Sequence, residues 1–263
     1  MSAETPLLDA ETVKACCATA YGLDLVGPFL GESYHPGGAD LTRRLADTMA
    51  LRPGERVLDV AAGIGTTGLL LAGERDADVV GIDLGAAQVA QAQARAGLAG
   101  RARFEVGDAE RLPVDAAAFD AVVCECAFCT FPDKRTAAAE LARAVRSGGR
   151  VGITDVWLNP DGLDAELRGL AGRVVCLADA RPIAELTAIV EGAGLAVTHL
   201  ERHDDALADT IEQVVTRLRA LRIADVPFLR GLNLARGIEL ARRAAAVVER
   251  GDAGYVLLVA AKP

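Results

Sequence analysis

Nine consecutive residues, Val57-Leu58-Asp59-Val60-Ala61-Ala62-Gly63-Ile64-Gly65, limit what this chain can fold into more than any other stretch. Leu51-Arg52-Pro53-Gly54 reads as a turn, Arg56 to Val60 as a short Val/Leu-rich strand, and Gly68 to Ala72 as the leucine-bearing start of a helix. Between strand and helix, the glycines let the backbone come close to a ligand, and the helix start points unpaired amides at it. The order is Asp-x-x-x-Gly-x-Gly, without the third glycine of a Gly-x-Gly-x-x-Gly phosphate fingerprint. Two glycines alone leave the ligand open.

The next two units narrow it. Asp78 to Ile82 reads as a second strand ending in Asp83, whose carboxylate is placed to receive the two hydroxyls of an adenosine ribose. Ala86 to Ala96 is Ala/Gln-rich and helical in character, with Gly97 and Gly100 marking its end. Ala102 to Val106 is a third strand leading into Gly107-Asp108-Ala109, where Asp108 can accept from an adenine amino group and Ala109 can donate its backbone N–H. A single Asp after a strand more often caps a helix or opens a turn. Acidic loop residues at the carboxyl ends of three consecutive strands change that balance, because open parallel sheets concentrate ligand contacts there.

The alternation continues through a strand at Phe119 to Cys124, a helix from Pro132-Asp133-Lys134 to about Ala144, a turn at Arg146 to Arg150 and a strand at Val151 to Asp155. Ile183 to Gly192 reads as a helix and Gly194 to Leu200 as a strand, while the apolar run Gly254 to Ala261 fits an antiparallel edge or penultimate strand. The expected fold is therefore α/β and Rossmann-like, a mostly parallel seven-stranded sheet with helices on both faces and helical additions at the amino and carboxyl ends. Residues 1–38 are expected to form a helical cap and entrance segment, and 39–263 the main domain, with 202–250 as a helical insertion or lid. At 263 residues and 51% hydrophobic composition, one sizeable core accounts for the chain.

A formal charge of -9, with arginines scattered rather than clustered, argues against a nucleic-acid surface. Apolar stretches are broken by Gly, Asp and Arg before they reach a spanning length, so no stable membrane association is expected. Met1 to Asp9 shows no basic region followed by an apolar run. A cytoplasmic location follows, where the six cysteines are expected as thiols rather than disulfides.

Taken together, these strand ends resemble those of the class I S-adenosylmethionine-dependent methyltransferases, over approximately residues 40 to 200. The resemblance implies that S-adenosyl-L-methionine is the cofactor, that the loop Ala61 to Gly65 meets its methionine portion, that Asp83 binds ribose, and that Asp108 with Ala109 holds adenine. The full cofactor-binding set expected is Asp59, Ala61, Gly63, Gly65, Asp83, Leu84, Asp108, Ala109 and Cys124. Ala62 stands where the family usually has another small or acidic residue.

Cys124, Cys126 and Cys129 lie at and just beyond the fourth strand. If Ala121 to Cys126 stays extended, Cys124 and Cys126 point to the same side, and a bend before Phe128 brings Cys129 near. Cys16 and Cys17 sit in a helical-looking segment, Ala10 to Tyr21, and Cys176 after the fifth strand. Thiolates suit a soft, thiophilic acceptor, although such residues also serve as small core side chains, zinc ligands or redox pairs. The run Cys124-Glu125-Cys126-Ala127-Phe128-Cys129-Thr130-Phe131-Pro132-Asp133-Lys134 is similar to the corresponding region of arsenite methyltransferases. That likeness implies Cys126 and Cys176 as ligands of trivalent arsenic, with an amino-terminal cysteine completing the site. In this chain Cys16-Cys17 precede Tyr21-Gly22, whereas the family's nearby cysteine motif commonly follows its Tyr-Gly segment, and Cys129 replaces a frequent Asn.

The expected catalytic set is Cys126, Cys176, Cys17, Cys129 and His35, with no resident metal and with glutathione or thioredoxin as a thiol source. Two other readings stand beside arsenite. Methylation of an organic O, N, C, S or Se centre makes His35, Glu125 or Asp155 an acid or base, and a noncatalytic cofactor-binding regulator needs none of them. Arg217, Arg219 and Arg222 read as a solvated helix face, and the amphipathic stretch Thr210 to Ala246 suits a lid or the face of a homo-oligomer.

Overall fold

The computed structural model describes residues 35–97, 100–163, 167, 179–224 and 233–263. The expectations for Ala10 to Tyr21, including Cys16 and Cys17, and for Cys176 lie outside these residues. Numbered along the described residues, the elements begin with helix α1 (Gly38–Thr48) and the alternating series β1 (Arg56–Val60), α2 (Thr66–Arg75), β2 (Asp78–Asp83), α3 (Ala86–Ala96) and β3 (Ala102–Val106). They continue with β4 (Phe119–Glu125), α4 (Lys134–Ala144), β5 (Val145–Leu158), α5 (Ile183–Gly192), β6 (Ala196–Arg202), α6 (Asp204–Ala224), α7 (Leu234–Glu249) and β7 (Ala253–Ala261).

The strands form one seven-stranded sheet in the order β3-β2-β1-β4-β5-β7-β6. β1 pairs in parallel with both β2 and β4, whereas β7 runs antiparallel between β5 and β6. Chain order therefore reverses direction at β1, and the carboxyl ends of β1 and β4 open onto a crevice between diverging connections. The apolar strands alternate between two cores, as a period of two requires when both faces are covered. Val57 and Leu257 face a core shared with Leu45 of α1 and Leu71 of α2, while Leu58 and Leu258 face Leu141 of α4 and Ile189 of α5. Each such fully buried leucine contributes about 2 kcal/mol relative to an exposed one.

Two sequence expectations are corrected. Arg146 to Arg150, read as a turn between helix and strand, belongs to β5, with an irregularity in its pairing to β4 between Phe119 and Ala121. Gly148 donates to the Lys262 carbonyl at 2.8 Å and Lys262 donates to Gly149 at 3.0 Å, so pairing with distant chain extends what local turn chemistry would stop. β6 begins at Ala196 and runs to Arg202, two residues beyond the end expected, because its partner β7 extends to meet it. Between them, α6 and α7 pack against each other through Val215, Leu218 and Ile238. Among the described residues no helix is long and apolar enough to cross a membrane.

Gly65 shows how the cofactor-side loop is fixed by packing. Its φ is +80°, and an added Cβ would stand 2.7 Å from the Phe104 ring and 3.0 Å from Ala92. Both the left-handed backbone and the close helix–strand approach demand glycine. Gly65→Ala is expected to cost about 2 kcal/mol of stability, read as a lower Tm, and a Tm equal to that of the unaltered protein would show that Phe104 yields freely.

Candidate active site

A solvent-open cavity lies where the carboxyl ends of β1, β2 and β4 meet, bounded by the loop after β1 and the start of α2. Ala61, Gly63, Asp83, Leu84, Asp108 and Ala109 line it, as does Asp59. Gly65 does not, and acts behind the wall through its contact with Phe104. Gly63, with φ +53°, has nothing within 4 Å of an added Cβ, so its bare backbone faces open space. α2 begins without a side-chain cap, and its first residues, Thr66 and Thr67, reach the same wall.

Asp83 accepts from Gly63 N at 2.7 Å and from Gly85 N at 2.8 Å, bracing the glycine loop against the end of β2. Burial holds its carboxyl above the ordinary range, and the Gly85 and Gly63 amides oppose that rise. Asp108 accepts from Glu110 N at 2.9 Å, which fixes the turn after β3. Asp59 is 2% exposed, and its Oδ2 is buried without a hydrogen-bond partner. Its carboxyl is pushed up to about 8, chiefly by burial and then by the neighbouring Glu125, against the pull of the Gly68 amide. A buried orphan oxygen costs free energy until a donor or cation reaches it.

These features fit S-adenosylmethionine. The group carries an ammonium that the orphan Oδ2 of Asp59 can receive, a ribose for Asp83 and an adenine for the polar turn at Asp108. Gly63 leaves backbone rather than side chain at the approach.

The acceptor side is built around Glu125, the last residue of β4. Its Oε2 accepts from Thr42 Oγ at 2.9 Å and Thr67 Oγ at 2.6 Å, and its Oε1 from Thr154 Oγ at 3.2 Å. His35 Nε2 lies 3.6 Å from Oε2 and 3.3 Å from Thr42 Oγ, and His35 Nδ1 is 3.1 Å from the Pro36 carbonyl. His35, 9% exposed, thus forms part of the cavity wall rather than a free loop. Thr42 and Thr67 were not singled out by sequence reasoning. The signal for Thr42 is a hydroxyl on the apolar face of α1, among Leu41, Leu45 and Ala46.

The cysteines separate. β4 ends at Glu125, and Cys126 takes a left-handed φ of +53°, so strand alternation stops before it. Cys124 consequently sits in one core with Leu58 and Ile153, whereas Cys126 packs beside the other core and lines the cavity. The expectation that the two thiols share a side is thereby corrected. Cys124, expected at the cofactor, is fully buried away from the cavity, and burial followed by the nearby Asp155 carboxylate pushes its thiol well above the ordinary range. Cys129 is also buried outside the cavity lining, with its amide donating to Asp155 Oδ2 at 2.6 Å. Asp155 accepts from Cys129 N and Val156 N and does not line the cavity. Among the described residues no cluster of three or more His, Cys, Asp or Glu is arranged to hold a metal ion.

Comparison with known proteins places this architecture. The family described as a methyltransferase domain matches residues 57–149. The 27-O-demethylrifamycin SV methyltransferase of Amycolatopsis mediterranei is 31% identical over 91% of this chain and 93% of its own length. An arsenite methyltransferase of Halobacterium salinarum is 29% identical over 60% of this chain and 41% of its own. The fold matches that of phosphoethanolamine N-methyltransferase 2 of Haemonchus contortus, solved with phosphomonomethylethanolamine and S-adenosylhomocysteine, at a TM-score of 0.79 and 17% identity, covering 99% of this chain and 61% of that one. With its strand order, its glycine loop and a full-length relative above 30% identity, the chain belongs to the class I S-adenosylmethionine-dependent methyltransferases.

Proposed function

We propose that this enzyme methylates a hydroxyl of a small organic acceptor, with His35 as the base. The observation that carries this reading is the make-up of the cavity wall, which presents one imidazole and, of the three described cysteines, one thiol. The relative that matches nearly end to end is named for an O-demethylated rifamycin, which supports an oxygen acceptor of small-molecule size. Bound S-adenosylmethionine supplies an electrophilic methyl and leaves as S-adenosylhomocysteine. The chain's part is to align the hydroxyl with that methyl and to take up the hydroxyl proton. Asp59, Gly63, Asp83, Asp108 and Ala109 are the residues proposed to hold the cofactor, with Leu84 and Ala61 against its apolar surfaces.

A second reading is favoured by Cys126, a non-glycine residue held at positive φ on the cavity wall. Such strain is stored where a side chain must be aimed. In this reading Cys126 joins Cys176 and Cys17 in holding As(III) as thiolates, with glutathione or thioredoxin renewing the thiols.

One assay separates the two. Purified enzyme and S-adenosylmethionine are supplied either with As(III) and glutathione or with a panel of hydroxylated acceptors beginning with 27-O-demethylrifamycin SV, and methylated products are followed with S-adenosylhomocysteine. The hydroxyl reading expects organic turnover that falls about 100-fold in His35→Gln and less than 3-fold in Cys126→Ala. Arsenic methylation abolished in Cys126→Ala and Cys176→Ala, with no organic acceptor turned over, would overturn it in favour of As(III).

A further inference from the structure

The acceptor flank of the cavity is formed by the loop that follows β4. In the sheet, β4 lies on the far side of β1 from β2 and β3, so this loop stands on the other flank from the residues proposed to hold ribose and adenine. Cys126, Ala127, Thr130, Phe131 and Pro132 line the cavity there, and Phe131 brings the largest apolar side chain among the described lining residues. Phe128, 1% exposed, enters the core of Leu141 and Ile189, while Cys129, 3% exposed, enters the core of Leu45 and Leu71. The 3-10 turn over Phe128–Thr130 is thereby plugged into both faces of the sheet.

Hydrogen bonds fix the rest of the loop. Cys126 N donates to the Thr154 carbonyl at 2.7 Å, Cys129 N to Asp155 Oδ2 at 2.6 Å and Thr130 Oγ to the Ala127 carbonyl at 2.6 Å. The Phe131 ring meets that of Phe128 edge to face, with centroids 5.7 Å apart and planes at 69°. Lys134, the first residue of α4, is 8% exposed, and its Nζ reaches back to donate to the Phe131 carbonyl at 3.0 Å. A cation is disfavoured at a helix N-terminus, and burying one costs further free energy. Burial accordingly holds the Lys134 ammonium below its ordinary range. A methionine would fill the same space without either cost, so the lysine is a residue that folding alone does not favour.

We propose that Phe131 is a specificity-determining contact for the methyl acceptor, presenting its ring to a flat apolar face of that molecule, and that Lys134 is the positioning residue that aims it. This rests on the organic-acceptor reading given above. A ring already held by Phe128 and by the bond from Lys134 needs little further ordering when an acceptor arrives, whereas a ring free to turn would have to be ordered by each acceptor in turn. The acceptor class that fits is a hydroxylated ring compound rather than a short open-chain alcohol, because contact with an aromatic side chain rewards an extended apolar face.

The test compares Phe131→Ala, Lys134→Met, Lys134→Arg and the double variant Lys134→Met/Phe131→Ala. Its probes are the hydroxylated ring compound turned over best in the panel and an open-chain alcohol of the same hydroxyl class, with calorimetry of S-adenosylmethionine binding and Tm read alongside turnover. The parent is expected to prefer the ring compound about 10-fold or more in kcat/KM. Phe131→Ala is expected to raise the KM of the ring compound about 10-fold, with kcat and the S-adenosylmethionine Kd within about 3-fold and the open-chain alcohol almost unaffected. Lys134→Met is expected to raise the same KM about 5-fold at a Tm equal to or above that of the parent, since a buried charge has gone. Lys134→Arg keeps a donor and is expected to recover most of that loss. The double variant is expected to be no worse than Phe131→Ala alone, because Lys134 acts through the ring. Equal losses on both probes, losses that multiply in the double variant, or a Lys134→Met protein that loses Tm and keeps its KM would refute the proposal. If no hydroxylated acceptor is turned over, the organic-acceptor reading itself falls; if one is turned over with its KM unchanged in Phe131→Ala, this proposal alone falls.

Discussion

Asp83→Ala is expected to weaken S-adenosylmethionine binding about 100-fold, because it removes two things at once. The carboxylate is the group proposed to take the ribose hydroxyls, and it is also the brace that receives Gly63 N at 2.7 Å and Gly85 N at 2.8 Å. Without it the Gly63 amide loses its partner and the loop after β1 loses its register with the end of β2. Calorimetry on the purified protein reads the effect directly. Asp83→Asn is expected to lie between, since one oxygen remains to accept while the new NH₂ group confronts an amide donor. Binding unchanged in Asp83→Ala would remove Asp83 from the cofactor site.

Asp59→Asn is expected to raise stability and weaken the cofactor together. A carboxyl pushed up to about 8 binds its proton more tightly folded than unfolded, where the ordinary value is near 3.8. The folded state then carries the extra proton between those two values, so the contribution of Asp59 to stability falls as pH rises across that window and is level above it. Asparagine has no such penalty. The Tm advantage of Asp59→Asn is therefore expected to be absent near pH 4, to grow up to about pH 8 and to stay constant beyond, reaching about 5 °C. Its S-adenosylmethionine affinity is expected to be about 10-fold lower at pH 8 and above, where the parent carboxyl is ionised and faces the ammonium, with the gap narrowing as pH falls. A variant less stable than the parent at pH 8 would mean that the ionised carboxylate is well satisfied in the empty protein.

The sequence carried the first half of the fold almost to the residue. β1, α3 and β3 start and stop where Pro, Gly and Asp punctuate strands and helices, and the three acidic strand ends mark the cavity because a parallel sheet puts them on one edge. What it did not carry depends on distant partners. Arg146 to Gly149 have the residues of a turn yet pair as strand, since Lys262 bonds to them from the far end of the chain. Cys124 and Cys126 were read by alternation, which holds only while the backbone is extended, and the left-handed turn at Cys126 is invisible in residue types. His35 carried little signal alone. Its meaning comes from Thr42 and from Glu125, which lies 90 positions later, and only the sheet brings them together.

The place of β7 governs how this protein can be made. The strand lies inside the sheet, yet it is the last of the described strands to leave the ribosome. Until residues 253–261 emerge, β5 presents an open edge and β6 has no neighbour to bond with. Tyr255, whose hydroxyl touches Thr154 below the cavity, arrives in that same final segment. Closing of the sheet and completion of the cavity floor thus fall together as residues 253–261 emerge, and a chain interrupted before residue 253 would leave a sheet edge free to pair with another copy.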